Sequence, residues 1–272
     1  MFLTKKSILK IALMGALYFL LGSVSIVLWS LFKTMGYSEK SLLILGIILY
    51  VLIVPIIFWG RYAEGKGKHI NLGNKLVRSE LRPAQFIEYY DSLMNSSELV
   101  VNKPSMEVLQ LVAISHDVLD DKENALRTVE ETVAVSNGKK KNYAKLIKVS
   151  MLFSCGRKDE AEALFNDLQA QKLDILSRGM VDTILKSDRA IVMGDYKTAE
   201  NYNLQLLERT FPKLDNLGKL ITHYNLAEIY EKTGDNAAAT VHYKYCADFG
   251  GETAIKESAV KKLEQMRLAE EG

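Results

Sequence analysis

After Lys103 a short phrase returns four times, and this recurrence constrains the fold more than any other feature of the sequence. The copies read DDKENALRTV, CGRKDEAEALF, MGDYKTAENYN and TGDNAAATVHY. Each carries a small residue at an equivalent place: Ala125, Ala161, Ala199 and Ala239, which stand 36, 38 and 40 residues apart. A helical pattern precedes each phrase and another follows it, so the unit is helix, short turn, helix.

Close packing explains the phrase. Two helices approach to about 8–10 Å only where small side chains meet at the crossing, which predicts that the four alanines are crossing points. The turn ahead of them must leave right-handed backbone, a task for Gly156, Gly194 and Gly234. Asp195 and Asp235 follow two of these glycines and are expected to cap the second helix. One turn beyond the alanines, Val129, Phe165 and Tyr243 are expected to reach back onto the first helix.

The phrase resembles the tetratricopeptide repeat (TPR), a helix-turn-helix unit of about 34 residues. The last copy, HYNLAEIYEKTGDNAAATVHYKYCADFGG, carries the resemblance furthest, with Leu226, Ala227 and Tyr230 in the first helix, Gly234 and Asp235 in the turn, and Ala239 and Tyr243 in the second. His223 stands where the family often has Trp, and Gly251 where it often has Pro. Lys148 and Lys186 occupy positions where a large apolar residue is usual. The resemblance covers roughly residues 105–250 and implies an all-α solenoid of about four hairpins. A repeat array needs covered ends. Glu257–Glu271 reads as a closing amphipathic helix, Pro83–Asn95 as a helix packed on the first copy, and Ser105 as the N-cap of the helix that follows.

The other pronounced feature lies at the N-terminus. No charge occurs from Ile11 to Phe32 or from Ser41 to Gly60, and each run approaches the ~20 apolar residues a helix needs to cross a bilayer. The first is longer than a signal-peptide core and ends in Trp29, Leu31, Phe32 and Lys33 rather than at a small-residue cleavage site. The expected organisation is therefore a two-helix transmembrane hairpin over 1–60, a basic juxtamembrane linker over 61–82 and a TPR-like domain over 83–272. Lysines before the first run and basic residues after the second predict an integral two-pass protein with both termini and the repeats in the cytoplasm. Six basic residues against two acidic ones give the linker a balance of +4, which suggests contact with anionic lipid.

Little in the chain points to chemistry. The stretch Gly60–Gly67 has phosphate-loop spacing up to its Lys, but Gly67 replaces the magnesium-binding hydroxyl and no strand precedes it, so no nucleotide is expected. Four histidines and two cysteines show no metal-ligand spacing, although His223 and His242 belong to one copy and stand to face each other. No catalytic residue, metal or cofactor is assigned, and the net charge of +2 gives no argument for nucleic acid.

The resemblance implies that the first helix of each copy lines a groove for a partner segment. Carrying over the inward-facing positions gives Glu107, Gln110, Ile114 and Asp117 in the first copy, then Leu146, Ser150 and Phe153. The third copy adds Ile184, Asp188 and Ile191, and the last Tyr224, Glu228 and Glu231. The set is acidic and lacks Lys and Arg, so the implied partner is a protein or peptide segment that is amphipathic and basic. The expected function is a membrane-anchored protein-interaction scaffold or adaptor. Two other readings are an extracytoplasmic envelope assembly factor of inverted topology and a regulatory subunit of a membrane enzyme.

Overall fold

The computed structural model describes residues 67–95, 104–171, 179–209 and 213–271, with scattered positions between Ser23 and Val51. Two compact units divide the chain, Met1–Gly65 and Lys66–Gly272. The expectation of two membrane-spanning helices, and with it a two-pass localisation, is corrected. Among the described residues no helix is long and apolar enough to cross a membrane. A charge-free run supplies suitable residues, but a crossing requires about 20 of them in one continuous helix, and none is described. Most of residues 1–60 lie outside the described residues, as does the stretch from Gly60 up to Gly67.

The second unit is all-helical. Residues 67–73 are helical and run into a π-helical stretch, Asn74–Ser79. Among the described residues ten α-helices follow: α1 Pro83–Asn95, α2 Met106–Val118, α3 Lys122–Val135, α4 Gly138–Ser154, α5 Lys158–Ala170, α6 Met180–Met193, α7 Tyr196–Glu208, α8 Asn216–Thr233, α9 Asn236–Phe249 and α10 Ala254–Glu271. They pack as consecutive hairpins, α2/α3, α4/α5, α6/α7 and α8/α9, with α10 against the last. This helical-repeat arrangement is compatible with a TPR-like fold.

The same hydrogen bonds build every hairpin. Asp121, Arg157, Asp195 and Asp235 each donate a backbone N–H to a carbonyl five residues earlier (His116, Leu152, Ala190, Tyr230), all at 2.9 Å. This bond closes a helix through a left-handed residue. That residue is Gly156, Gly194 or Gly234 with φ between 72° and 85° in three copies, while Asp120 at φ 62° takes the place in the first. The side chains of Asp121, Asp195 and Asp235 then cap α3, α7 and α9, accepting from the N–H of Asn124, Thr198 and Ala238. Arg157 holds the equivalent place ahead of α5 and makes no side-chain cap.

Packing follows the alanines. Ala125, Ala161, Ala199 and Ala239 are all fully buried. Twelve residues before each, on the first helix, stands Ala113, Val149, Ser187 or Ala227, also buried. Four residues after each stands Val129, Phe165, Asn203 or Tyr243, again buried. Lys148 and Lys186, which sit on the first helices, turn outward to Glu130 at 2.8 Å and Asp182 at 2.7 Å.

The array also closes on itself. Val77, Leu81 and Phe86 share one hydrophobic core with Val108, Leu111 and Val112 of α2 and with Leu217, Leu220, Tyr243 and Cys246 of the last hairpin. Gly73 makes this possible, because a Cβ there would meet Phe86 and Leu111 at 2.7 Å. Polar bonds reinforce the contact. Arg78 Nη1 meets Asp215 Oδ2 at 2.9 Å, Asn216 Nδ2 donates to Ser79 O at 2.8 Å, and Glu252 N–H donates to Leu81 O at 2.8 Å. Residues 67–82, which the charge pattern suggests as a linker, are thus packed against both ends of the array. Their charges are engaged in turn: Lys75 pairs with Glu80 and Arg82 with Glu252.

Candidate functional site

The first helices α2, α4 and α6 carry a polar seam where apolar contact would be the cheaper way to join them. Asp117 on α2 accepts from Lys122 Nζ at 2.8 Å and from Ser154 Oγ on α4 at 2.8 Å. One turn back along α4, Ser150 Oγ donates to Asp188 Oδ2 on α6 at 2.7 Å. Two serines spaced by four residues on one helix therefore hold two carboxylates, one from each neighbour, as helical periodicity allows.

The carboxylates differ in their balance of charge. Asp117 has the Lys122 ammonium, while Asp188 has no cation at ion-pair distance among the described residues. Asp188 keeps some surface, yet its carboxyl group is closely surrounded by protein. Desolvation pushes it up to about 7, the Ser150 hydrogen bond pulling against this and the negative charge of Asp117 adding to it. A carboxyl so placed holds its proton near neutrality, and an arriving cation would release it.

The remaining first-helix positions divide by copy. Glu107 pairs with Lys140 at 3.2 Å, and Gln110 carries a buried Nε2 with no hydrogen-bond partner among the described residues. Leu146 and Phe153 are buried in the core of the second and third hairpins, so they pack rather than line an open face. Ile184 is half-buried, and Ile191 packs with Ala190, Ala199 and Ile229. In the last copy the side chains turn toward α10. Glu231 accepts from Lys262 at 2.7 Å and from the Tyr243 hydroxyl at 2.6 Å. Glu228 is pushed up by burial, against the pull of Lys262 and Tyr224, and Tyr224 is bonded to Ser258 and Glu228.

Asp117, Ser150 and Asp188 thus share a seam, Leu146, Phe153 and Ile191 pack against apolar neighbours, and Tyr224, Glu228 and Glu231 form a cluster tied to the closing helix. Ser154 and Lys122, which complete the seam, were not among the expected residues. The signal for Ser154 was its place four residues after Ser150. Lys122 carried no separate signal, being one solvent-facing lysine among many in the sequence.

His223 and His242 do meet, Nδ1 to Nδ1 at 2.8 Å, one donating and the other accepting. His223 also stacks on Tyr245 with centroids 3.7 Å apart, and His242 on Tyr230. Burial pulls His223 down to about 4, with His242 and Lys219 contributing, and burial lowers His242 as well. No group of three or more potential metal ligands occurs among the described residues. Cys155 and Cys246 are free thiols, the latter buried with its S–H directed to Leu220 O.

Compared with known proteins, the chain matches no family model, no curated protein and no solved structure.

Proposed function

We propose that the helical unit is a protein-interaction module of tetratricopeptide type, whose first-helix face receives a basic side chain of a partner segment at the Asp117–Asp188 seam. The observation that carries this reading is Asp188, a carboxyl held by Ser150 at 2.7 Å between two helices and left without a cation among the described residues. Such a group costs the fold free energy when it ionises, and a Lys or Arg from outside converts that cost into affinity. Asp117 keeps its own lysine, which leaves Asp188 as the vacant half of the pair.

Binding of fluorescent helical peptides to the full-length chain tests the proposal, with a basic amphipathic sequence set against its acidic counterpart. The basic peptide is expected to bind and Asp188→Lys to weaken it by about tenfold or more, since like charge replaces a desolvated attraction. Circular dichroism of the variant establishes that helicity is kept. Equal binding of both peptides, or binding that ignores Asp188→Lys in a folded variant, overturns it.

A further inference from the structure

We propose that residues 67–82 form a latch that holds the array closed and that opens as a unit without unfolding the hairpins. The latch bridges the first and last first helices. Its apolar residues Val77 and Leu81 lie in the core shared with α2 and α8, and its polar ties reach Asp215, Asn216 and Glu252.

Three features separate this contact from the contacts inside a hairpin. The segment is π-helical at Asn74–Ser79, a geometry of poorer hydrogen bonding that is found mostly as short bulges at functional sites. Leu81 has φ 55°, a left-handed conformation that a γ-branched side chain adopts under strain. Gly251, itself at φ 59°, faces it so closely that a Cβ would stand 2.5 Å from Leu81 Cβ. The polar ties are, moreover, half exposed: Arg78 and Asp215 retain 39% and 37% of their side-chain surface. The seat is therefore apolar, closely fitted and strained, and water reaches its ionic edge.

Closure matters for the face described above. The first helices at both ends of the array, α2 and α8, are packed against the chain's own basic segment, which has the same chemistry as the proposed partner. Binding along that face requires or favours the open form, and the population of that form sets the apparent affinity. This consequence rests on the proposed function; the latch itself does not.

The Glu252 amide is a reporter, because its protecting acceptor is Leu81 O across the contact. Hydrogen exchange of the full-length protein should show the Glu252 amide exchanging faster than amides in the middle of α2 and α8. Arg78→Asp, which does not touch this reporter, should speed its exchange by about threefold or more, as expected for loss of a half-exposed ion pair. In the same variant the basic peptide should bind more tightly by the same factor. Faster exchange without tighter binding sinks the peptide reading and keeps the latch. If Glu252 exchanges only as fast as α2 and α8 in the unmodified protein, residues 67–82 are an inseparable part of the core and the latch is refuted, whether or not Arg78→Asp folds.

Discussion

The second and third hairpins solve one packing problem in two ways. In the second, Val149 of α4 faces Phe165 of α5 beside Ala161, and all three are buried. The third has Ser187 of α6 and Asn203 of α7 at the same places beside Ala199, equally buried. Asn203 Nδ2 donates to Ser187 Oγ at 2.7 Å and to Ala199 O at 2.8 Å, while its Oδ1 has no partner among the described residues. The alanine is what the two hairpins share. Crossing distance is therefore set by the small residue, and the neighbouring positions accept apolar or polar side chains provided a polar one finds its partner.

The largest effect expected from breaking this comparison is in the apolar hairpin. Phe165→Ala should cost about 3–5 kcal/mol of stability, as truncation of a fully buried aromatic leaves a cavity. Asn203→Ala should cost less, about 1–3 kcal/mol, mostly through the Ser187 hydroxyl left unsatisfied. Urea denaturation of the two variants ranks them. Ala199→Leu and Ala239→Leu should both cost about 1–3 kcal/mol by overpacking, with half-exposed Ala238→Leu as the milder control. If the alanine substitutions leave the unfolding midpoint unchanged, the shared crossing is not what sets the hairpin.

A smaller effect sharpens the comparison. The paired change Ser187→Ala with Asn203→Leu removes both polar groups together and also the unsatisfied Oδ1. Its cost should fall well below the sum of the single changes, and stability equal to or above that of the unmodified protein is the expected outcome. Additive losses in a double-mutant cycle would show that the pair is not one unit.

Titration separates the seam from the histidine pair. Asp188 has a folded pKa raised to about 7 from an ordinary 3.8, so its contribution to stability is complete below 3.8 and is lost as pH rises through 7. His223 has a folded pKa lowered to about 4 from 6.5, so its contribution is complete above 6.5 and is lost as pH falls through 4. The two slopes oppose each other between these limits. Asp188→Asn should leave stability rising with pH across that window, and His223→Phe should leave it falling. Melting temperatures of the variants from pH 4 to 8 distinguish them, and identical profiles would remove both assignments.

What the sequence disclosed and what it hid divide along the range of the interactions. The crossing alanines, the left-handed glycines, and the caps at Asp195 and Asp235 are all local signals, each read within a few residues of the structure it produces. Ser105 is another, its side chain accepting from Val108 N–H. Asn203 broke the apolar pattern of its column and so concealed a core position. Closure of the array was invisible for a different reason: Arg78 and Asp215 are 137 residues apart, and no periodicity links them. Arg78 and Arg82 read as part of a basic linker because charge patterning cannot tell a lysine facing solvent from an arginine paired across a fold. Two charge-free runs looked like membrane spans because composition reports which residues could cross, while the continuity of the helix depends on backbone geometry. Among the candidate residues, Asp117 and Asp188 came together through serines whose role depends on their neighbours. Tyr224, Glu228 and Glu231 were drawn to α10, whose approach to α8 was not encoded in the repeat phrase.

The smallest expected effect concerns the cap that the second hairpin lacks. Arg157 occupies the place where Asp121, Asp195 and Asp235 cap their helices, and it instead forms a two-bond ion pair with Glu160 at 2.6 Å. Both partners are well exposed, so the pair contributes little. An aspartate there would accept from the free N–H groups of the first turn, worth about 0.5–2 kcal/mol in comparable settings. Against this stand the lost ion pair and the repulsion of a new carboxylate by Asp159 and Glu160, both in the first turn of α5. Arg157→Asp should therefore stabilise by only a few tenths of a kcal/mol, and Arg157→Asn, which caps without the added charge, by slightly more. The reverse change, Asp195→Ala, should destabilise by about 1 kcal/mol, since it removes a working cap from an otherwise similar turn. Denaturation midpoints measured at low and high salt resolve the two contributions, because salt screens the repulsion and leaves the cap. If Arg157→Asn lowers the midpoint at both salt concentrations, the four turns are not interchangeable, and the second hairpin is held by its ion pair after all.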